Sequence, residues 1–211
     1  PRLINVLPGE NGYPTTIEIT LPASMSVIPF GASKAEVVAE QTDGTKTWRY
    51  DSNSAGGILY AGDYIRQDIQ AGGMDIEFYY GRKHQAVMEA AGAAEAVKSV
   101  VDYCTAHYGM LSFGTGDTLK LIQSRVTGGG YAVDGASLLD EADFTAHNLG
   151  DAGKGGGAAE VMIHELVHQW WGLGNMFDTA GPDSPWSAEG LTVYTTYRIV
   201  KDLYDEDYAQ K

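Results

Sequence analysis

HELVHQWWG, residues His164 to Gly172, is the stretch on which the reading of this chain turns. It holds two histidines four positions apart with a glutamate directly behind the first. On an α-helix, positions i and i+4 share one face with Cβ atoms about 5–6 Å apart. His164 and His168 can therefore close on a single metal ion, since Zn–N bonds are roughly 2.0–2.1 Å. Glu165, beside the pair, is positioned to take a proton from an attacking water. A third ligand comes from WSAEG, Trp186 to Gly190, where Glu189 follows His168 by twenty-one residues. Two neutral imidazoles and one carboxylate leave zinc a fourth position, which marks a catalytic rather than a closed structural site.

The competing explanation is an amphipathic helix whose histidines are ordinary polar residues. Val161, Met162, Leu166 and Val167 give that helix an apolar, packed side. The histidines and Glu165 are then half-buried polar groups that need partners, and a metal ion provides them. A loop containing Pro182 and Pro185 leads to a second helix from Ser187 to about Leu203, so a helix–loop–helix returns Glu189 to the histidines.

Outward from the motif, the pattern divides the chain into a β-rich module (1–82) and a metal-binding unit (83–211). TTIEITL (Thr15 to Leu21) and KAEVVAEQ (Lys34 to Gln41) alternate with a period of two. TDGTKTWRY turns at Asp43-Gly44 into another strand, and MDIEFYYG (Met74 to Gly81) is an aromatic one. This predicts an antiparallel sheet module. From His84 to His107 the period becomes helical, with Gly109 as the stop. TLKLIQSRV (Thr118 to Val126) returns to strand, YAVDGASLL (Tyr131 to Leu139) continues extended, residues 147–158 read as a loop, and the motif helix spans Ala158 to Trp171. The fold class expected is α+β. The glycine runs at 128–130 and 155–157 lack the spacing of a phosphate-binding loop and read as turns.

Composition narrows the partners. The 211 residues carry 28 acidic and 14 basic side chains, a formal charge of −14. No basic footprint for nucleic acid or anionic lipid is present. One cysteine, Cys104, rules out an internal disulfide and reads as a small buried hydrophobe. No run approaches the 18 apolar residues of a membrane span, and no signal peptide precedes the first strand. The chain opens on Pro1, which fits processing or excision from a longer protein with further domains or membrane segments. An extracytoplasmic or membrane-tethered setting suits the acidity.

The two motifs together resemble those of the gluzincin metallopeptidases, specifically the M1 family of aminopeptidases and leukotriene A4 hydrolase. HELVHQW carries His164, Glu165, His168 and Trp170, and WSAEGLTVY carries Trp186, Glu189, Gly190 and Tyr194. The resemblance implies a thermolysin-like catalytic portion, Zn2+ held by His164, His168 and Glu189, Glu165 as general base, and a peptide substrate. It is specific over residues 161–197 and faint upstream.

Four departures qualify it. The gap before Glu189 is two residues longer than the family's. The family's Gly-x-Met-Glu-Asn strand falls at Gly129 to Val133, read here as GGYAV, so Ala132 takes the place of the glutamate that grips a substrate's α-amine. Thr196 stands where an acidic residue follows the ligand glutamate. The family's transition-state tyrosine falls beyond residue 211. Tyr131 and Tyr194 are the tyrosines near the motifs that could supply a second oxyanion donor. His84, His107 and His147 read as surface or cap residues, and Asp178, Asp183 and Glu160 as possible orienting partners for the histidines. The expected activity is zinc-dependent hydrolysis of peptide bonds without standard aminopeptidase specificity. The alternative is a zinc-bearing accessory domain without catalysis.

Overall fold

The structure, a computed structural model, describes residues 2–6, 15–29, 33–52, 57–111, 118–125, 129–133, 135–143, 157–175, 186–203 and 205–210. Three sheets carry the first two thirds of the chain. Strands β1 (Arg2–Val6), β6 (Gly57–Gly62) and β3 (Ser26–Pro29) form one in the order β1-β6-β3. Strands β2 (Thr15–Pro22), β5 (Thr45–Ser52) and β4 (Glu36–Glu40) form the second in the order β2-β5-β4. All pairs in both are antiparallel. Gly44, at φ 83°, makes the turn into β5 that the Asp-Gly pair predicts.

The third sheet positions the site. It contains β7 (Tyr64–Ala71), β8 (Met74–Gly81), β9 (Thr118–Ser124), β10 (Gly130–Val133) and β11 (Ala136–Asp140) in the order β10-β11-β9-β8-β7. Its strands come from both sides of residue 82, and β9 lies parallel to both β8 and β11. A parallel pair requires a crossover, and between β8 and β9 this is made by α1 (Gln85–Ala90) and α2 (Ala93–Tyr108). The helical stretch that begins at His84 is thus two helices, broken at Gly92 with φ 64°. The stop at Gly109 is as predicted, its N–H donating to Thr105 O at 2.9 Å.

Helix α2 buries Ala93, Val97, Val100, Val101 and Cys104, the one-sided spacing of an amphipathic helix. These pack with Ile76, Phe78, Leu119 and Leu121 of the sheet and with Met162, Ile163, Leu166 and Val167 of α3 (Gly157–Val167). The opposite face of the sheet is covered too, where Ile122, Ala136 and Leu138 meet Ile28 and Tyr60 of the N-terminal strands. Central strand β9 is consequently buried on both faces, including Lys120 and Gln123. Their polar groups are paired: Lys120 donates to Pro29 O, and Gln123 accepts the Gly81 N–H.

Two elements differ from expectation near the motif. Tyr131–Leu139 is a hairpin, not one strand, because Val133 pairs with Ala136 and Gly135 adopts φ 75°. The motif helix ends at Val167, single-turn bonds continue it to Trp171, and Gly172 at φ 90° then turns its N–H forward to Asn175 O. A π-helical turn (Trp186–Gly190) then runs directly into α4 (Leu191–Leu203), with α5 (Glu206–Ala209) after it. Pro182, Pro185, His147, most of the 147–158 loop and both orienting candidates Asp178 and Asp183 lie outside the described residues. Among the described residues no helix is long and apolar enough to cross a membrane.

Candidate metal centre and cleft

Helix α3 is held in register with the sheet by bonds that leave the side chains of His164, Glu165 and His168 free for the cleft. Ser137 Oγ donates to Glu165 O at 2.8 Å. Gln169, buried just after the helix, accepts the Gly135 N–H at 3.1 Å and donates to Val133 O at 2.9 Å. One amide side chain thereby clamps the β10–β11 hairpin against the motif turn. On the other side, Trp170 Nε1 donates to Gly109 O at the end of α2, and Trp171 Nε1 donates to Thr195 Oγ1 of α4. Both tryptophans brace the helix.

Three ligand atoms converge on the cleft formed there. His164 Nε2 and His168 Nε2 are 3.0 Å apart. Glu189 Oε2 lies 3.3 Å from the first and 3.4 Å from the second. A tetrahedral ion with bonds of roughly 2.0–2.1 Å sets its ligand atoms about 3.3 Å from one another. The triangle present has those edges, so the donor set fits a metal ion. Two features bring Glu189 within reach. The π-helical turn offsets its side chain from the α4 register, and Gly172 lets the motif turn approach closely, since a Cβ there would lie 3.1 Å from Ala188 Cβ.

His164 is biased toward the neutral imidazole that metal binding requires. Burial and the neighbouring His168 both push the His164 imidazole below its ordinary value, with Glu189 opposing. His168 Nδ1 is 3.2 Å from Trp171 O and 3.2 Å from Thr192 Oγ1. Donation from Nδ1–H to that carbonyl fixes the tautomer that leaves the Nε2 lone pair free for a metal. The neighbours of this nitrogen are thus a backbone carbonyl and the Thr192 hydroxyl, not one of the carboxylates named from the sequence. Glu160, the one such carboxylate described, is exposed in the first turn of α3.

Glu165 is 7% exposed. Burial, and then the Glu189 charge, push its carboxyl up to about 7 in the metal-free protein. It shares a cleft of about 300 Å³ with the three ligands, Gly130, Tyr131 and Ala132 of β10, and Leu173. Tyr131 is more than half exposed at its edge. Tyr194 does not line the cleft; it is exposed on α4, where its hydroxyl accepts from Arg198 at 3.1 Å. Glu141, which follows β11, is paired with Lys83 and Arg125.

Gly130 is the residue that makes room for Glu165. A Cβ at position 130 would lie 2.2 Å from Glu165 Cγ and 2.6 Å from its Oε1. Its φ is not in the left-handed region, so alanine is excluded by Glu165 alone rather than by the backbone. Gly130→Ala is expected to displace the carboxylate and reduce hydrolysis by about 10²–10⁴-fold, the range for losing a general base. Metal content should be unchanged. Turnover and metal analysis on the same preparation check this; wild-type turnover in the variant would refute the steric argument.

No protein-family profile matches the chain, and no curated protein matches it in sequence. In three dimensions it is similar to solved M1 zinc metallopeptidases. A variant of a two-domain M1 zinc metallopeptidase bound to L-arginine superposes with a TM-score of 0.54 at 18% identity. The M1 zinc metallopeptidase from Deinococcus radiodurans gives 0.51 at 17%. A variant of that enzyme bound to a Tyr-Ser-Ala substrate gives 0.53 at 18%. Each match covers 89% of this chain and 40% of the other. The chain has the M1 metallopeptidase fold and spans about 40% of the length of those structures.

Proposed function

We propose that this chain, with that fold as its scaffold, is the metal-binding part of a zinc peptidase. The observation that carries the reading is the triangle of His164 Nε2, His168 Nε2 and Glu189 Oε2 opening on a cleft that also contains the buried Glu165. Zinc held by these residues would keep an open position and supply a Lewis acid that acidifies water and polarises a carbonyl.

The chain's own groups then do the rest. Glu165 takes the proton of the attacking water and passes it to the departing amine. A carboxylate inside the cleft can serve both steps, because it faces the attacking water and the departing amine in turn. Tyr131, at the cleft edge, is the proposed hydroxyl donor to the developing oxyanion. Strand β10 is the outer strand of its sheet, bonded to β11 on one side. Its other edge can pair with an extended peptide and lay the scissile bond across the cleft. A second reading, a zinc-bearing accessory domain, would share the same three metal-binding residues and differ only in lacking hydrolysis.

Substrate choice follows from Ala132. A buried α-ammonium needs a carboxylate or several acceptors in compensation, and alanine offers neither. The expected result is that an extended peptide is cut at internal bonds, at equal rates with a free and with an acetylated N-terminus, and that a chelator abolishes both. A large preference for the free amine would overturn the endopeptidase reading. Zinc binding without hydrolysis of either peptide would favour the accessory domain.

A further inference from the structure

Gln169 stands where an apolar residue would be ordinary. Leu166, Val167 and Trp170 around it are buried core residues, and Gln169 itself is 1% exposed. A buried amide is costly unless it is hydrogen-bonded, and the bonds of this one run to the β10–β11 hairpin. Its Oε1 accepts the Gly135 N–H at 3.1 Å, and its Nε2 donates to Val133 O at 2.9 Å and Ala136 O at 3.4 Å. The Gly135 carbonyl in turn accepts the Lys120 N–H of β9 at 3.0 Å. The hairpin turn is thus held on one side by the sheet and on the other by the residue that directly follows His168.

The far end of β10 has little room to move. A Cβ on Gly130 would lie 2.2 Å from Glu165 Cγ, so the strand approaches the motif helix as closely as a glycine allows. Between these two points Tyr131 and Ala132 line the cleft. Apolar packing is non-directional and would let the hairpin slide along the motif turn. An amide that accepts from one backbone group and donates to two others permits one position. Ser137 adds a second tie, its hydroxyl donating to Glu165 O at 2.8 Å.

We propose that Gln169 is a positioning residue that sets the height of β10 over the metal centre and so aligns an extended peptide, paired on the outer edge of that strand, with the three ligands. The inference rests on the peptidase reading and adds to it the link between metal and substrate strand: consecutive residues of one turn, His168 and Gln169, serve one each. Reacting groups must lie about 3–3.5 Å apart, and a misplacement of about 1 Å can cost about 10²-fold. Gln169→Met keeps an apolar stem of similar length but leaves the Gly135 N–H and the Val133 carbonyl without their partner.

The test compares two probes on the zinc-loaded chain. Acetohydroxamate needs only the metal, whereas a hydroxamate carried on acetyl-trialanine also needs β10. Wild-type protein should bind the peptide probe more tightly. In Gln169→Met the peptide probe should lose at least about tenfold in affinity by calorimetry, while acetohydroxamate changes by less than about twofold and zinc content is unaltered. In the wild type, exchange of the Gly135 amide hydrogen should slow on binding the peptide probe and not on binding acetohydroxamate, a measurement that needs no variant. Equal losses for both probes would mean that Gln169 only supports the fold, and would overturn the proposal. So would a peptide probe that binds no better than acetohydroxamate, or Gly135 exchange that ignores it. Failure of acetohydroxamate to bind the wild type would instead sink the zinc site itself, and this inference with it.

Discussion

His168→Ala is expected to release the metal. Purified wild-type chain should retain about one equivalent of zinc through exhaustive dialysis, because its three ligand atoms already stand at tetrahedral spacing and little ordering remains to be done on binding. Without His168, two protein ligands remain on opposite sides of the former triangle. The affinity loss should exceed the roughly 10–100-fold typical of changes to supporting partners. Thr192→Val supplies the internal comparison: it removes one of two groups near His168 Nδ1, leaves the Trp171 carbonyl in place, and should cost no more than that smaller amount. Zinc content by elemental analysis and competition with a chelator measure both. A wild-type protein that takes up no zinc even after reconstitution would remove the basis of the proposed function.

Glu165→Gln separates chemistry from binding. Glutamine keeps the shape but cannot accept the water proton, so hydrolysis should fall by about 10²–10⁴-fold with zinc content unchanged. The same substitution has a stability signature in the metal-free protein. The Glu165 carboxyl rises to about 7 on folding, above its ordinary value of 4.5. The folded state therefore holds this proton more tightly than the unfolded state. Stability from it is fully present below about pH 4.5 and is lost as pH rises through about 7. The shift corresponds to about 3 kcal/mol. Metal-free Glu165→Gln should thus gain on the wild type by up to that amount between acid and pH 8, with the gap narrowing when zinc is added. Denaturant melts at several pH values read it directly. A gap that does not vary with pH would mean that the carboxyl is not buried as described.

The residues that converge at the site were legible because the helix does the arithmetic. The i, i+4 spacing puts His164 and His168 on one face whatever surrounds them, and the neighbouring apolar residues show that the helix is packed. The strands at 15–21, 74–81 and 118–124 were legible for a similar reason, since alternation and aromatic content are local properties. Glu189 was reachable only through the second motif, because spacing along the chain does not say where a loop returns.

Strand β9 marks the limit. Its alternating pattern suggests one face in water, yet Lys120 and Gln123 are buried and paired with Pro29 and Gly81, residues far away in the sequence. The β10–β11 hairpin was legible as well, since the sequence between its strands contains Asp134-Gly135, the same local signal as Asp43-Gly44. Tyr131 and Tyr194 look alike in sequence, but one lines the cleft and the other is held by Arg198 on the outside of α4.

By itself the sequence determined the ligand types, the general-base candidate and the α+β class, all of which depend on residue chemistry and short-range periodicity. Tertiary structure alone decided that β8, β9 and β11 run parallel, that Gln169 fastens the hairpin over the motif, and that Gly130 yields its space to Glu165. Each of these is a contact between segments separated by dozens of residues. Its energy comes from burial and pairing once the chain has closed on itself, and no local pattern encodes which distant partner will supply it.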